Sequence, residues 1–331
     1  MKILKAIVIL VFAATQLHAN TIVDMAGREV KIPTTIEHIV PYDTKASLML
    51  YSVAADRMDT RALLPGVEKF TYINSGYEQL PEVDIKNIEQ LLMINPQVII
   101  AGAYIGSDNL ERFDKMEKRT HIPVVVIDLS IDKMSDTYLF LGEMLAIESQ
   151  CRVRAEYIES IYTLTQDLIE SNPEVKERIY YSIGGNGLMS DPAGSRHTEV
   201  IDYLRLNNVV NVPIPSGGHA SVNMEQVLEW NPNIIFCAGF RGNGSAYKTI
   251  TSSNKWKSID AVKSKKIYNI PSMPFGWFDN PPSINRIPGI IWLCELFYGL
   301  DSTTSREMIT EFYKLFYHYE LTASEYDTLF M

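Results

Sequence analysis

Few side chains in this sequence are both chemically able and placed outside a periodic apolar pattern. His219 stands in Gly217-Gly-His-Ala-Ser-Val-Asn223, and a neutral imidazole there suits a borderline transition metal. Arg241 follows the apolar run Ile234 to Ala238, and Arg196 sits in Ser195-Arg-His-Thr-Glu199. A guanidinium stays charged and offers several fixed donors, which suits an anionic chelate or an oxyanion. Tyr42, Tyr104 and Asn186 fall in loops after apolar runs, and Trp277 lies in the Pro/Gly-rich loop Met273-Pro-Phe-Gly-Trp-Phe-Asp-Asn-Pro-Pro282. An indole in such a loop is available to stack on a flat ligand or to close a cleft. Each of these competes with a plain reading: a solvated surface charge for the arginines, a hydrogen-bonding residue for His219, ordinary loop or packing residues for the rest.

Reactive chemistry finds less support. There is no nucleophile elbow, Walker phosphate loop or dinucleotide fingerprint, and the cluster Gly184-Gly-Asn-Gly187 lacks the spacing and acidic partner of the last. Ser195 and His197 are two apart, with nothing in sequence to orient the imidazole as a base. A site for a bare zinc or manganese ion needs three or four ligands together, and His38, His121, His197, His219 and His318 are scattered. Non-enzymatic binding with no intrinsic cofactor is the expectation.

The elements that must position these residues are legible through a repeat. Asn87-Ile-Glu-Gln-Leu-Leu-Met-Ile-Asn-Pro-Gln-Val-Ile-Ile100 recurs as Asn223-Met-Glu-Gln-Val-Leu-Glu-Trp-Asn-Pro-Asn-Ile-Ile-Phe236, an offset of 136 residues (87 to 223). That is too long for a solenoid period and implies two similar lobes. Each copy reads as a helix capped by Asn, with Glu89 or Glu225 in the first turn, stopped at Asn-Pro and followed by a buried parallel strand. Glycine-containing loops follow both strands, where α/β sheets bind ligands. Further strands are expected at His38 to Pro41, Val124 to Asp128, Ile179 to Ile183 and Lys266 to Ile270. A hairpin turns at Gly27, a helix runs from Thr44 to Val53, and a capping box spans Thr322 to Glu325. Between the lobes, Val153, Tyr157, Ile161, Leu164 and Leu168 mark one long helix from about Glu148 to Ser171, a stiff link allowing small hinge motion.

The chain opens with Lys2 and Lys5, the apolar run Ala6 to Ala14 and Leu17-His18-Ala19, the pattern of a cleavable signal peptide too short to span a bilayer. No Cys follows the run, so a free periplasmic protein without lipid anchor is expected. The net charge of −10 argues against nucleic acid as partner. Cys151, Cys237 and Cys294 are odd in number and far apart, and read as small core residues. The division expected is signal peptide 1–19, first lobe 20–147, linking helix 148–172 and second lobe 173–331: α/β, two Rossmann-like lobes joined by one helix, with the ligand cleft between them.

These features resemble the helix-linked class of periplasmic substrate-binding proteins that serve ABC importers of iron–siderophores, haem, cobalamin and related metal chelates. The opening Val23-x-x-x-Gly27-Arg28-x-Val30-x-Ile32-Pro33 with Ile39-Val40 and both repeat units carry the resemblance. It implies capture of a small-molecule metal complex (iron–siderophore, haem, corrinoid or nickel complex) in the cleft and delivery to an inner-membrane permease. It implies docking of Glu89 and Glu225 on permease arginines, and cleft roles for Arg196 and Arg241. It also implies a metal-facing role for His219 within the bound chelate. Where relatives place a further first-lobe arginine this chain has Tyr104, which favours a smaller, less charged or flat chelate. The alternative within the same fold is a molybdate or tungstate receptor, caged by Arg196, Arg241, His219, Ser221 and loop N–H groups.

Overall fold

The computed structural model describes residues 19–63, 70–215, 218–239 and 245–330; the signal peptide expected over 1–19 lies, but for its last residue, outside these. The hairpin forms from strands Ala19–Val23 and Glu29–Pro33, with Gly27 at its turn in the left-handed region, φ +76°. Buried Asp24 organises it. One carboxylate oxygen accepts from the N–H groups of Ala26 and Arg28 at 3.0 and 2.9 Å. The other accepts from Val126 N–H at 3.0 Å and pins the hairpin to the first sheet. That sheet is parallel, in the order Ile39–Pro41, Val98–Ala103, Val124–Asp128. The last two strands are buried throughout, as their unbroken apolar runs require.

The repeat is a structural one. Helices Ile88–Ile94 and Met224–Trp230 are each capped by the preceding Asn, which accepts from the N–H of Gln90 at 3.1 Å and of Gln226 at 2.9 Å. Each ends on an Asn in the left-handed conformation, Asn95 at φ 51° and Asn231 at φ 41°. There the side-chain amide tolerates a turn that β-branched residues resist. The strands that follow take the same place in both lobes. Val98–Ala103 lies between its two parallel neighbours, and Ile234–Ala238 lies between Arg178–Ile183 and Ile267–Asn269. Short strands Met189–Ser190 and Ala220–Ser221 extend the second sheet antiparallel, and Asn207–Asn208 pairs with Arg178–Ile183.

Helix Glu148–Ser171, 24 residues, links the lobes and spans roughly 36 Å at about 1.5 Å per residue. Its buried stripe is Cys151, Arg154, Ala155, Ile158, Ile161, Tyr162, Thr165 and Ile169. This is rotated from the stripe read in sequence, leaving Val153 exposed and Tyr157 half-buried. The buried side follows the helices that pack on it, Met134–Leu145 and Arg286–Tyr298. Helix Ser302–Tyr317 adds two hydrogen bonds, Tyr157 Oη donating to Met308 O at 2.7 Å and Arg154 Nη2 to Leu315 O at 2.8 Å. All three cysteines are buried and unpaired, and burial pushes their thiols up, to about 12 for Cys151 and Cys237 and about 11 for Cys294.

Trp277 departs from its expected place. It has no exposed surface. Its indole N–H donates to Tyr313 Oη at 3.3 Å, and its ring meets Trp292 and Phe330 at 6.2 and 5.6 Å. The loop is covered by C-terminal residues, so the aromatic run is core. Gly289 is obligatory beneath it, since a Cβ there would stand 2.3 Å from Trp277 O. Trp277→Ala is expected to lower stability by about 3–5 kcal/mol in urea unfolding. Asn95→Val should cost about 1–2 kcal/mol while Asn95→Gly costs nothing, the signature of a left-handed cap.

Candidate ligand cleft

A cavity of about 910 Å³ lies between the lobes. The first lobe supplies Asp43 and Lys45 at the start of helix Thr44–Ala54, and Tyr104, Asp108 and Arg112 beyond strand Val98–Ala103. The second supplies Ser195, Arg196 and His197 from the loop after Met189–Ser190, and Pro281 and Pro282 form part of the rim.

Tyr104 is the meeting point. Its hydroxyl donates across the cleft to Pro282 O at 3.1 Å. Three cations surround its ring, Arg196, Arg286 and Lys45, at 5.2, 5.6 and 5.7 Å from the centroid. Burial drives its phenol well above the usual range, so it stays a neutral donor and a π-face for cations. Asp108, nearly buried, bridges the lobes by pairing Arg196 Nη1 at 2.9 Å and Arg112 Nη2 at 3.3 Å. Beneath them Arg286 is fully buried. It pairs with Glu199, donates to Leu129 O and gives its Nε–H to Ser283 O at 3.1 Å. The other Glu199 oxygen accepts from Ile131 N–H at 2.8 Å.

The second-lobe wall carries two carboxylate-backed imidazoles. His197 Nδ1 lies 2.9 Å from Asp279 Oδ2, and Asp279 Oδ1 accepts from Tyr181 Oη at 2.5 Å. His219 Nδ1 lies 2.5 Å from Asp191 Oδ2. The two rings are 4.5 Å apart. The scattering of histidines in sequence therefore does not persist in space: Asp191, His197 and His219 each place a ligand atom within 4.8 Å of the others.

Of the residues singled out in sequence, Tyr104, Ser195 and Arg196 line the cavity, and His219 stands beside His197 behind Gly218. Tyr42 does not line it. Its ring packs edge-on to Phe113 at 5.0 Å beneath helix Glu111–Thr120, and its neighbours Asp43 and Lys45 face the cavity instead. Asn186 is a turn residue whose Oδ1 accepts from Leu188 N–H at 3.0 Å, away from the cavity. Trp277 is core, with no surface to offer a ligand. Arg241 lies outside the described residues. Glu89 and Glu225 are exposed in the first turns of the repeat helices. Sequence reasoning missed Lys45, Asp108, Arg112, Asp191, Glu199 and Asp279. Asp191 offered one signal, standing in Ser190-Asp-Pro192 just before Ser195-Arg-His.

Residues 50–274 match the profile of the periplasmic binding protein family. The chain is similar in structure to an ABC transporter solute binding protein from Sulfurospirillum deleyianum, with 26% identity, 94% of this chain and 98% of that one covered, and a TM-score of 0.81. It is 21% identical over 257 residues to the molybdate-binding protein MolA of Haemophilus influenzae, covering 70% of each. The structure of MolA bound to molybdate matches at a TM-score of 0.69 with 19% identity, over 92% of this chain and 99% of that one. The catecholate-siderophore binding protein VctP of Vibrio cholerae matches at 0.62 with 16% identity, over 82% and 99%. With two α/β lobes, one linking helix and a polar cleft between them, the chain belongs to the periplasmic binding protein family and is a helix-linked solute-binding protein of an ABC importer.

Proposed function

We propose that the cleft captures a small anionic metal chelate, a metal ion held by an organic ligand, and hands it unchanged to an inner-membrane permease. The observation that carries this reading is the pairing of two unlike walls around one cavity. One side presents the imidazole of His197, with that of His219 next to it, suited to the open positions of a partly chelated metal. The other supplies Asp108, which pairs with Arg112 of its own lobe and with Arg196 reaching across from the loop that carries His197, and Lys45 over Tyr104. A cargo carboxylate would compete with Asp108 for those guanidiniums, while Arg196 keeps its place over the Tyr104 ring. Arg241 belongs to the same reading on sequence grounds.

Size favours a chelate. The cavity of about 910 Å³ equals on the order of thirty waters at about 30 Å³ each, far more than a lone tetrahedral oxyanion fills, and falls within the usual range for organic ligands. The similarity to MolA, a molybdate-binding protein, favours a second reading, in which a molybdate or tungstate ion is caged by Arg196 and the two histidines. Carriage without catalysis fits the wall chemistry: the Ser195 hydroxyl accepts from the His197 backbone N–H at 3.3 Å and is not arrayed as a nucleophile on the imidazole.

Export to the periplasm and docking of Glu89 and Glu225 on the permease complete the proposal. The two glutamates are equivalent residues of the repeat, exposed on matching helices. Arg196→Ala should weaken an anionic metal chelate such as nickel citrate by about 1.5 kcal/mol, roughly tenfold, the low end for charged hydrogen bonds at a partly exposed position. Unchanged affinity in calorimetry removes it from the site. The double variant Glu89→Ala/Glu225→Ala should bind cargo normally and fail in uptake by cells; normal uptake sinks the docking role.

A further inference from the structure

We infer that Asp191, His197 and His219 form a three-ligand site for a divalent transition-metal ion, open toward the cleft, so that protein atoms bind the metal directly. The inference rests on the cleft being a cargo site for a metal-containing solute, but the ligand set is defined by this chain alone.

Strand register builds the site. Strands Met189–Ser190 and Ala220–Ser221 are antiparallel, with Ser190 opposite Ala220. Continuing that ladder by one residue sets Asp191 opposite His219, although 28 positions separate them. The turn Ser195–Thr198, closed by Thr198 N–H to Ser195 O at 3.0 Å, then brings His197 alongside, its ring 4.5 Å from that of His219. No local spacing in the sequence announces this arrangement; it exists only once the two short strands pair.

The donor set is two imidazoles and one carboxylate, which suits divalent iron, cobalt, nickel, copper or zinc and leaves positions for further ligands. Two independent observations point to a cation. Asp191 is fully buried, yet its Oδ1 has no hydrogen-bond partner among the described residues, an arrangement that costs free energy unless something positive meets it. His197 is backed by Asp279, itself held by Tyr181, the carboxylate–histidine arrangement that orients a ligating ring. The three ligand atoms lie within 4.8 Å of one another. Around one ion at about 2.0–2.2 Å they would stand roughly 3–3.5 Å apart, so the Asp191–His219 pair would open from 2.5 Å while the His197 side chain moves toward it. The ion takes the place of any proton shared between Asp191 and His219, so binding releases protons. His197 lines the cavity, so the open positions face the chelator.

The test uses the mature protein, stripped with EDTA and titrated calorimetrically with nickel, zinc and cupric chloride alone, in buffers of different ionisation enthalpy. Cupric spectra are read for nitrogen hyperfine coupling. The expected result is one ion per chain, proton release, coupling to two nitrogens, and a loss of about tenfold or more in His197→Ala and in His219→Gln. Asp191→Asn, nearly isosteric, should lose affinity similarly; should it fail to fold, His197→Ala, at a side chain only partly buried, decides alone. Absence of stoichiometric binding, or equal affinity in the histidine variants, overturns the site. If the stripped protein takes a metal chelate but no bare ion, and both histidine variants take the chelate equally well, the trio is wrong and the cargo reading stands. If it takes the ion through these residues but no chelate, the trio stands and the chelate reading falls.

Discussion

Arg286 carries its charge with no access to water, and the cleft is organised around satisfying it. A buried guanidinium is tolerated only when its donors are met and a counter-charge is near. Glu199 from the second lobe provides the counter-charge, and the carbonyls of Leu129 and Ser283 take further N–H groups. Glu199 spends its other oxygen on Ile131 N–H of the first lobe. One ion pair therefore satisfies groups on both lobes and closes the cleft floor. Removing Glu199 would strand the buried Arg286 charge at a cost of about 3–5 kcal/mol. Tyr104 rests on this floor with its ring toward Arg286 and its hydroxyl tied to Pro282. Together with the continuous linking helix, the floor limits the lobes to small adjustments about a preformed cavity.

Above the floor, Asp108 pairs with two arginines, Arg112 and Arg196. On the proposed reading, an anionic cargo would gain those arginines by competing with Asp108, and its affinity would be set by the difference between two sets of charged hydrogen bonds. On the same reading, the carboxylate-backed imidazoles would select for metal instead of charge, and a cargo suited to both sets of groups would be anionic with coordination positions open.

The fold was largely legible because local rules and repetition agreed. The same Asn caps and Asn-Pro stops appear in both copies, and the backbone uses them alike, down to the left-handed Asn95 and Asn231. The linking helix, the Gly27 hairpin and the Thr322 capping box followed from equally local signals. The site was legible in part. Tyr104, Ser195 and Arg196 sit on loops that follow strands, and loops there face the cleft. Tyr42 shares that position in sequence but turns its ring into the packing around Phe113. Trp277 looked like a loop aromatic because the residues that bury it, Tyr313 and Phe330, arrive from the far end of the chain. Asp191 and His219 meet through a two-residue ladder, too short to leave a pattern in sequence.

The central claim, that this receptor carries a metal together with an organic chelator, is tested most directly by native mass spectrometry with elemental analysis on protein taken from its own periplasm. The account predicts a noncovalent adduct whose mass exceeds that of a bare ion and which contains one transition metal per chain. An adduct consisting only of a molybdenum or tungsten oxyanion would contradict it and establish the second reading in its place.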